Sequence, residues 1–164
     1  MSAPPAPDGD VAGKYLTFRL AEENYGLQIL KVQEIIGMMT VTRVPRTPPF
    51  IRGVINLRGK VIPVVDLRVK FGLPEQAETE VSCIIVVQVN RGDDTVVMGI
   101  IVDEVSEVLD VKADQVEPPP SFGEQIDTTF ILGIGKIADR VIMLLDIDRV
   151  LSTDDVVAIA EMVG

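Results

Sequence analysis

The chain has 164 residues, 47% of them hydrophobic, and a formal net charge of −10. That length supports one core or two small fused ones, and the acidity excludes a general nucleic-acid binder, whose phosphates such a field repels. With no histidine and a single cysteine, Cys83, a disulfide scaffold and every nucleophile–histidine arrangement are excluded as well.

The composition is rich in Val and Ile, has no Trp and only 4% aromatic residues, and so favours strands. No apolar run reaches the ~18 residues needed to span a bilayer. Met1 to Asp10 is rich in Pro, Gly and Asp and lacks the basic start and apolar core of a signal peptide; residues 1–13 are expected to form a disordered tail. Tyr15–Leu20 and Tyr25–Ile29 alternate apolar and polar positions around Ala21–Asn24, which predicts a hairpin. Val32, Ile35 and Ile36 suggest a helical turn or a bent strand. Val44–Pro49 is an irregular link, because proline serves neither ladders nor helix interiors. Ile51–Leu57 and Val61–Val65 read as strands about the turn Arg58–Gly59, with Pro63 marking the second as an edge or bulged strand. Asp66 is placed to cap a helix from Leu67 to Phe71. Val81–Val89 and Thr95–Val102 form a second hairpin about Asn90–Asp94, and Glu117–Ser121 is a second proline break. Phe130–Ile137 and Val141–Leu145 form another pair, and Ser152 and Asp155 have capping-box spacing before a helix from Val156 to Val163.

Laying the chain on itself reveals a repeat. Phe50–Asp66 matches Phe130–Asp146 without a gap at an offset of 80, with Phe50, Ile51, Gly53, Val61, Ile62 and Asp66 identical in both copies. Upstream, Tyr25–Ile36 matches Met98–Leu109 at an offset of 73, with Gly26, Val32 and Glu34 recurring as Gly99, Val105 and Glu107. Two strand-rich units of roughly 70 residues imply two small tandem β-barrels, each near the lower limit for its own core and therefore sharing an apolar interface. The copies differ at their turns: Asn56–Gly59 presents an arginine where Lys136–Asp139 presents Ala138 and an acid. Arg58 also lies in the one basic stretch, from Arg43 to Lys70, which carries seven bases and one acid; Gly72 to Asp127 carries thirteen acids and two bases. A solvated surface is the plain reading of that asymmetry, and a site for an acidic protein surface the sharper one.

Nothing in the sequence points to catalysis. Without histidine the commonest general base and metal ligand are missing. Gly133–Ile134–Gly135 lies in a predicted strand rather than at a helix start, and no calcium-loop spacing occurs. No cofactor, metal or catalytic residue is expected.

Phe50–Phe71, with its Asn56–Leu57–Arg58–Gly59 turn, closely resembles the signature of the CheW chemotaxis coupling family; Tyr25–Ile35 and Gly99–Leu109 resemble its flanking motifs. The likeness runs from about Lys14 to the C-terminus. It implies an all-β fold with short helices, two SH3-like five-stranded barrels packed about a shared apolar interface. Residues 14–78 would form the first barrel and 79–164 the second plus a C-terminal helix, with chain ends free to cross between barrels. It further implies a non-enzymatic cytoplasmic adaptor, recruited to membrane-associated arrays. Its partners would be the cytoplasmic tip of methyl-accepting chemotaxis receptors, the regulatory domain of the histidine kinase CheA, and other copies of the adaptor in rings. On the matching positions Val32, Glu34, Arg52, Gly53, Arg58 and Gly59 would serve the receptor, and Val105 and Phe122 the kinase. The alternatives are a general SH3-like peptide-binding module and the CheW-like part of another two-component protein.

Overall fold

The structure, a computed structural model, describes residues 11–74, 77–91, 93–119 and 130–151. Strands β1 (Gly13–Leu20) and β2 (Glu23–Gln28) form the expected hairpin, and a 3₁₀ turn (Ile29–Lys31) leads into β3 (Val32–Gly37). The irregular link follows, then β4 (Ile51–Leu57), β5 (Lys60–Asp66) and helix α1 (Leu67–Lys70). The second copy contributes β6 (Cys83–Arg91), β7 (Asp94–Val102), β8 (Glu104–Val111), the two-residue β9 (Val116–Glu117), β10 (Ile131–Ile137), β11 (Arg140–Leu145) and helix α2 (Ile147–Val150). Both helices begin as the repeat predicts. Asp66 accepts from the Arg68 N–H at 3.0 Å, and Asp146 from the Arg149 N–H at 3.3 Å, satisfying helix-start donors that lack intrahelical partners.

The strands form a six-stranded sheet, β8-β1-β2-β11-β10-β9, and a five-stranded sheet, β3-β6-β7-β5-β4. The sheets do not divide the chain at residue 78. The β1–β2 hairpin of the first copy joins the last strands of the second, while the β6–β7 hairpin of the second joins β3, β4 and β5 of the first. The exchange obeys the repeat offsets. Parallel β5–β7 pairs Val64 with Gly99, and parallel β11–β2 pairs Leu144 with Gly26. A copy unable to complete its own barrel takes the missing hairpin from its twin.

Three apolar clusters result. Ile55, Ile62, Val64, Ile84 and Val86 fill the five-stranded sheet, and Tyr15, Val111, Ile142 and Leu144 the six-stranded one. The largest cluster lies between them and mixes both sheets: Phe18, Leu20 and Leu27 meet Val65, Ile85 and Ile100. Through it runs an aromatic ladder, Phe18–Tyr25–Phe71–Phe130, with ring centroids 5.4–5.8 Å apart. The sequence thus builds two small barrels on a common core.

Four expectations need correction. Residues 11–13 do not belong to a disordered lead-in: Val11 is buried and its carbonyl accepts from the Tyr15 hydroxyl, while β1 already starts at Gly13. Pro63 does not mark an edge, since β5 is interior. Its parallel partner β7 pairs only from Val64 onward, so no N–H is required at the proline, and the bulge lies on β4 around Arg52. The second proline break starts only at Pro118, because Val116 and Glu117 keep their N–H groups and pair with β10. That short strand makes six strands where five were expected; the isolated Thr42–Val54 bridge on β4 is its counterpart in the first copy. Phe122, the Ser152–Asp155 capping box and the helix from Val156 lie outside the described residues.

Candidate functional site

The turn between β4 and β5 has two left-handed residues, Arg58 at φ 53° and Gly59 at φ 85°. Positive φ at both positions matches the twist of a two-residue hairpin, and Asn56 secures the turn by accepting the Gly59 N–H at 2.8 Å. An arginine held in this conformation projects from the hairpin tip, and its side chain is 69% exposed. It reaches across to β3, at the opposite edge of the same sheet. There its two terminal nitrogens grip the two Glu34 oxygens, one of them at 2.7 Å. The fork is bidentate, the geometry in which a planar guanidinium is strongest. The hydrogen bond from Arg58 holds the Glu34 carboxyl below its ordinary range. This contact ties the β4–β5 turn to β3 at the other edge of the five-stranded sheet, while the Thr42–Val54 bridge lays the link that follows β3 on β4.

The other expected residues have distinct places. Val32 is half-buried against the central cluster, separated from Glu34 by a bulge in the β3–β6 register. Gly53 sits at φ 149°, and a Cβ there would fall 2.1 Å from the Thr42 carbonyl oxygen; it lets the link lie directly on β4. Arg52 does not join Arg58: it bonds Asp66 at 2.9 Å and Glu78 at 2.7 Å. Arg68 is turned inward to Asp103. Three of the bases that made the first copy look like a cationic site are therefore neutralised within the chain. Val105 packs on the central cluster as its repeat mate Val32 does, so its aliphatic character is accounted for by the core.

Sequence reasoning missed Leu30. It stands on the 3₁₀ turn where the chain leaves one sheet for the other, and is 91% exposed. It borders a groove of 420 Å³ lined also by Gly13, Lys14, Tyr15, Gln28 and Lys31. Leu30 occupies an apolar slot in the repeat block, which hides it; its charged counterpart at the offset of 73, Asp103, is the one hint that this slot need not be a core position. Ile35 and Val61 are also exposed, at 45% and 40%, on the strands that flank the fork. Their repeat mates Val108 and Val141 are exposed on the second copy, beside a Glu107–Arg140 pair at 3.3 Å. Among the described residues no three acids or cysteines gather as a metal site, and no helix is long and apolar enough to cross a membrane.

Two barrels sharing a core, with an exposed apolar anchor and a pre-formed arginine fork on consecutive elements, define an interaction domain of the scaffold class. The comparisons agree. The pattern of the CheW-like domain matches residues 14–155. The chemotaxis protein CheW of Klebsiella aerogenes is 42% identical over 148 residues, covering 90% of this chain and 87% of that protein. CheW of Bacillus subtilis is 35% identical, covering 86% and 88%. The crystal structure of the scaffolding protein TtCheW from Thermoanaerobacter tengcongensis superposes with a TM-score of 0.77 at 39% identity, covering 88% of this chain and 95% of that one. The chain belongs to the CheW-like family of chemotaxis scaffold proteins.

Proposed function

We propose that this chain couples the cytoplasmic tip of methyl-accepting chemotaxis receptors to the regulatory domain of the kinase CheA, in the cytoplasm and at membrane-associated receptor arrays. One observation carries the reading: the exposed Leu30 and the Arg58–Glu34 fork lie along a single strip, the 3₁₀ turn and β3, at the junction of the two sheets. An exposed apolar anchor and, further along the strip, a fixed guanidinium suit an amphipathic helical hairpin, whose apolar ridge fills a groove while a helix-end carbonyl meets the N–H donors that Glu34 leaves open. Val32 and Glu34 belong to the strip, Gly59 shapes the turn that presents Arg58, Gly53 seats the link on β4, and Arg52 braces the start of β4 through Asp66 and Glu78. The kinase would meet the second copy, where Val108, on the same strand as Val105, and Val141, on β11, face outward; Phe122 is assigned there by family resemblance. The adaptor performs no chemistry. It biases the kinase to the extent that it binds the two receptor states unequally.

A general peptide-binding module fits less well. Such modules use exposed aromatic grooves, whereas Tyr15, Phe18 and Tyr25 are buried and Phe71 and Phe130 stack on the core. The test is a titration with a synthetic helical hairpin carrying a receptor tip, and separately with a proline-rich peptide. Only the hairpin binds, and Arg58→Glu or Leu30→Lys weakens it about tenfold or more with unfolding unchanged. Wild-type affinity in Leu30→Lys overturns the assignment of the groove, and in Arg58→Glu that of the fork.

A further inference from the structure

Two partly buried ion pairs each tie a helix of one copy to a strand corner of the other, with the charges of helix and corner inverted between them. Arg68 on α1 bonds Asp103, the corner residue between β7 and β8, from Nε at 2.8 Å and from Nη2 at 2.7 Å. Asp148 on α2, at the offset of 80 from Arg68, bonds Lys31 at 2.8 Å in the corner between β2 and β3. Each carboxylate also accepts a backbone N–H from the region of a hairpin tip. Asp103 takes that of Ala21 at 2.7 Å, and Asp148 that of Asn90 at 2.8 Å. In both clamps a helix of one copy grips the corner that the other copy's hairpin leaves behind. The strand pairing enforces it: β2 aligns Leu27 with Leu145, just before α2, and β7 aligns Ile101 with Asp66, just before α1.

We propose that Lys31 and Asp148 are positioning residues for the receptor groove, fixing the turn that presents Leu30 by tying it to the helix of the other copy. This rests on the assignment of the groove made above. Leu30 adjoins Lys31 in a three-residue turn with no buried residue of its own. Its partly buried neighbour Ile29 packs on the central cluster, and Lys31 supplies the anchor on the other side. Both partners are largely covered, the side chains being 20% and 29% exposed, so solvent screens the pair less than it would an open surface contact. The strand exchange creates the tie: with β2 paired to β11, Lys31 lies against Asp148 on the helix that follows.

The experiment uses the full chain and the same receptor-tip hairpin. Lys31→Met and Asp148→Asn (the amide keeps an acceptor for the Asn90 N–H) each weaken binding about fivefold, and the double variant is no worse than either single. Lys31→Arg, which keeps a cation for Asp148, binds within about twofold of wild type. Amide exchange in Lys31→Met accelerates at residues 29–31 while β1 and β6 stay protected. Wild-type affinity in Lys31→Met, or multiplicative losses in the double variant, overturns the proposal provided Leu30→Lys has weakened binding. Full affinity in Leu30→Lys overturns the groove assignment, and the proposal with it.

Discussion

Gly53→Ala isolates the physical demand of one backbone position. The new methyl would lie 2.1 Å from the Thr42 carbonyl oxygen, 2.7 Å from its carbon and 2.9 Å from a Val41 methyl. The first two atoms are backbone and cannot swing away. Relief requires moving the link off β4, which breaks both bonds of the Thr42–Val54 bridge, each 2.8 Å long. Two such bonds are worth roughly 0.5–1.5 kcal/mol each, and alanine at a φ that only glycine tolerates adds roughly 1–3 kcal/mol. The expected loss is about 3–5 kcal/mol, a large share of a small domain's stability. Two other glycines calibrate it. Gly59→Ala meets open space at φ 85°, so only backbone strain counts, about 1–2 kcal/mol. Gly133→Ala meets a Val116 methyl at 2.8 Å and the Glu117 carbonyl at 3.1 Å without a positive φ, and falls between. Urea unfolding reads the series, the Gly53 variant losing roughly 2 M in midpoint at an ordinary slope. If Gly53→Ala costs no more than Gly59→Ala, the close approach does not hold the link in place.

Burial pushes the Tyr15 hydroxyl up to about 12 from 10.0. The folded chain therefore holds that proton after the unfolded one has released it. The contribution is intact below pH 10 and is lost as pH rises toward about 12, at most ~2–3 kcal/mol; Tyr15→Phe flattens the alkaline limb of a stability–pH profile measured by urea unfolding. Among the described residues, Arg68→Met leaves the Asp103 carboxylate with the Ala21 N–H alone and strands the Pro74 carbonyl that Arg68 now serves at 2.7 Å; the cost, about 2–3 kcal/mol, appears as a lower urea midpoint with both sheets still formed by circular dichroism. Burial also raises the Cys83 thiol, so a disulfide reagent near neutral pH modifies native protein far more slowly than urea-unfolded protein.

Much of this architecture is legible in the residues because it repeats. Strand alternation, the Asp66 and Asp146 caps and the left-handed turn at Arg58 are local, and each local signal appears twice at a fixed offset. The exchange of hairpins is not legible. An alternating strand carries its inward face but not the identity of its neighbour, and β2 would satisfy β5 as well as β11 on pattern alone. The Lys31–Asp148 and Arg68–Asp103 pairs accompany the exchange, and which charge meets which is visible only once the corners meet the helices. The site was half legible for a related reason. The Asn56–Gly59 turn is a strong local motif, but whether Arg58 is free or already held depends on Glu34, twenty-four residues earlier on the far edge of the sheet. Leu30 escaped because a fully exposed leucine and a buried one look alike in an apolar block.

Because the hairpins are exchanged, neither copy is a module in the usual sense. A gene fragment ending between them would encode strands whose natural neighbours lie downstream, and two such fragments could satisfy each other only by pairing as separate molecules. The duplication thus reads as a tethered pair, in which a once bimolecular encounter has been made intramolecular by the chain between α1 and β6.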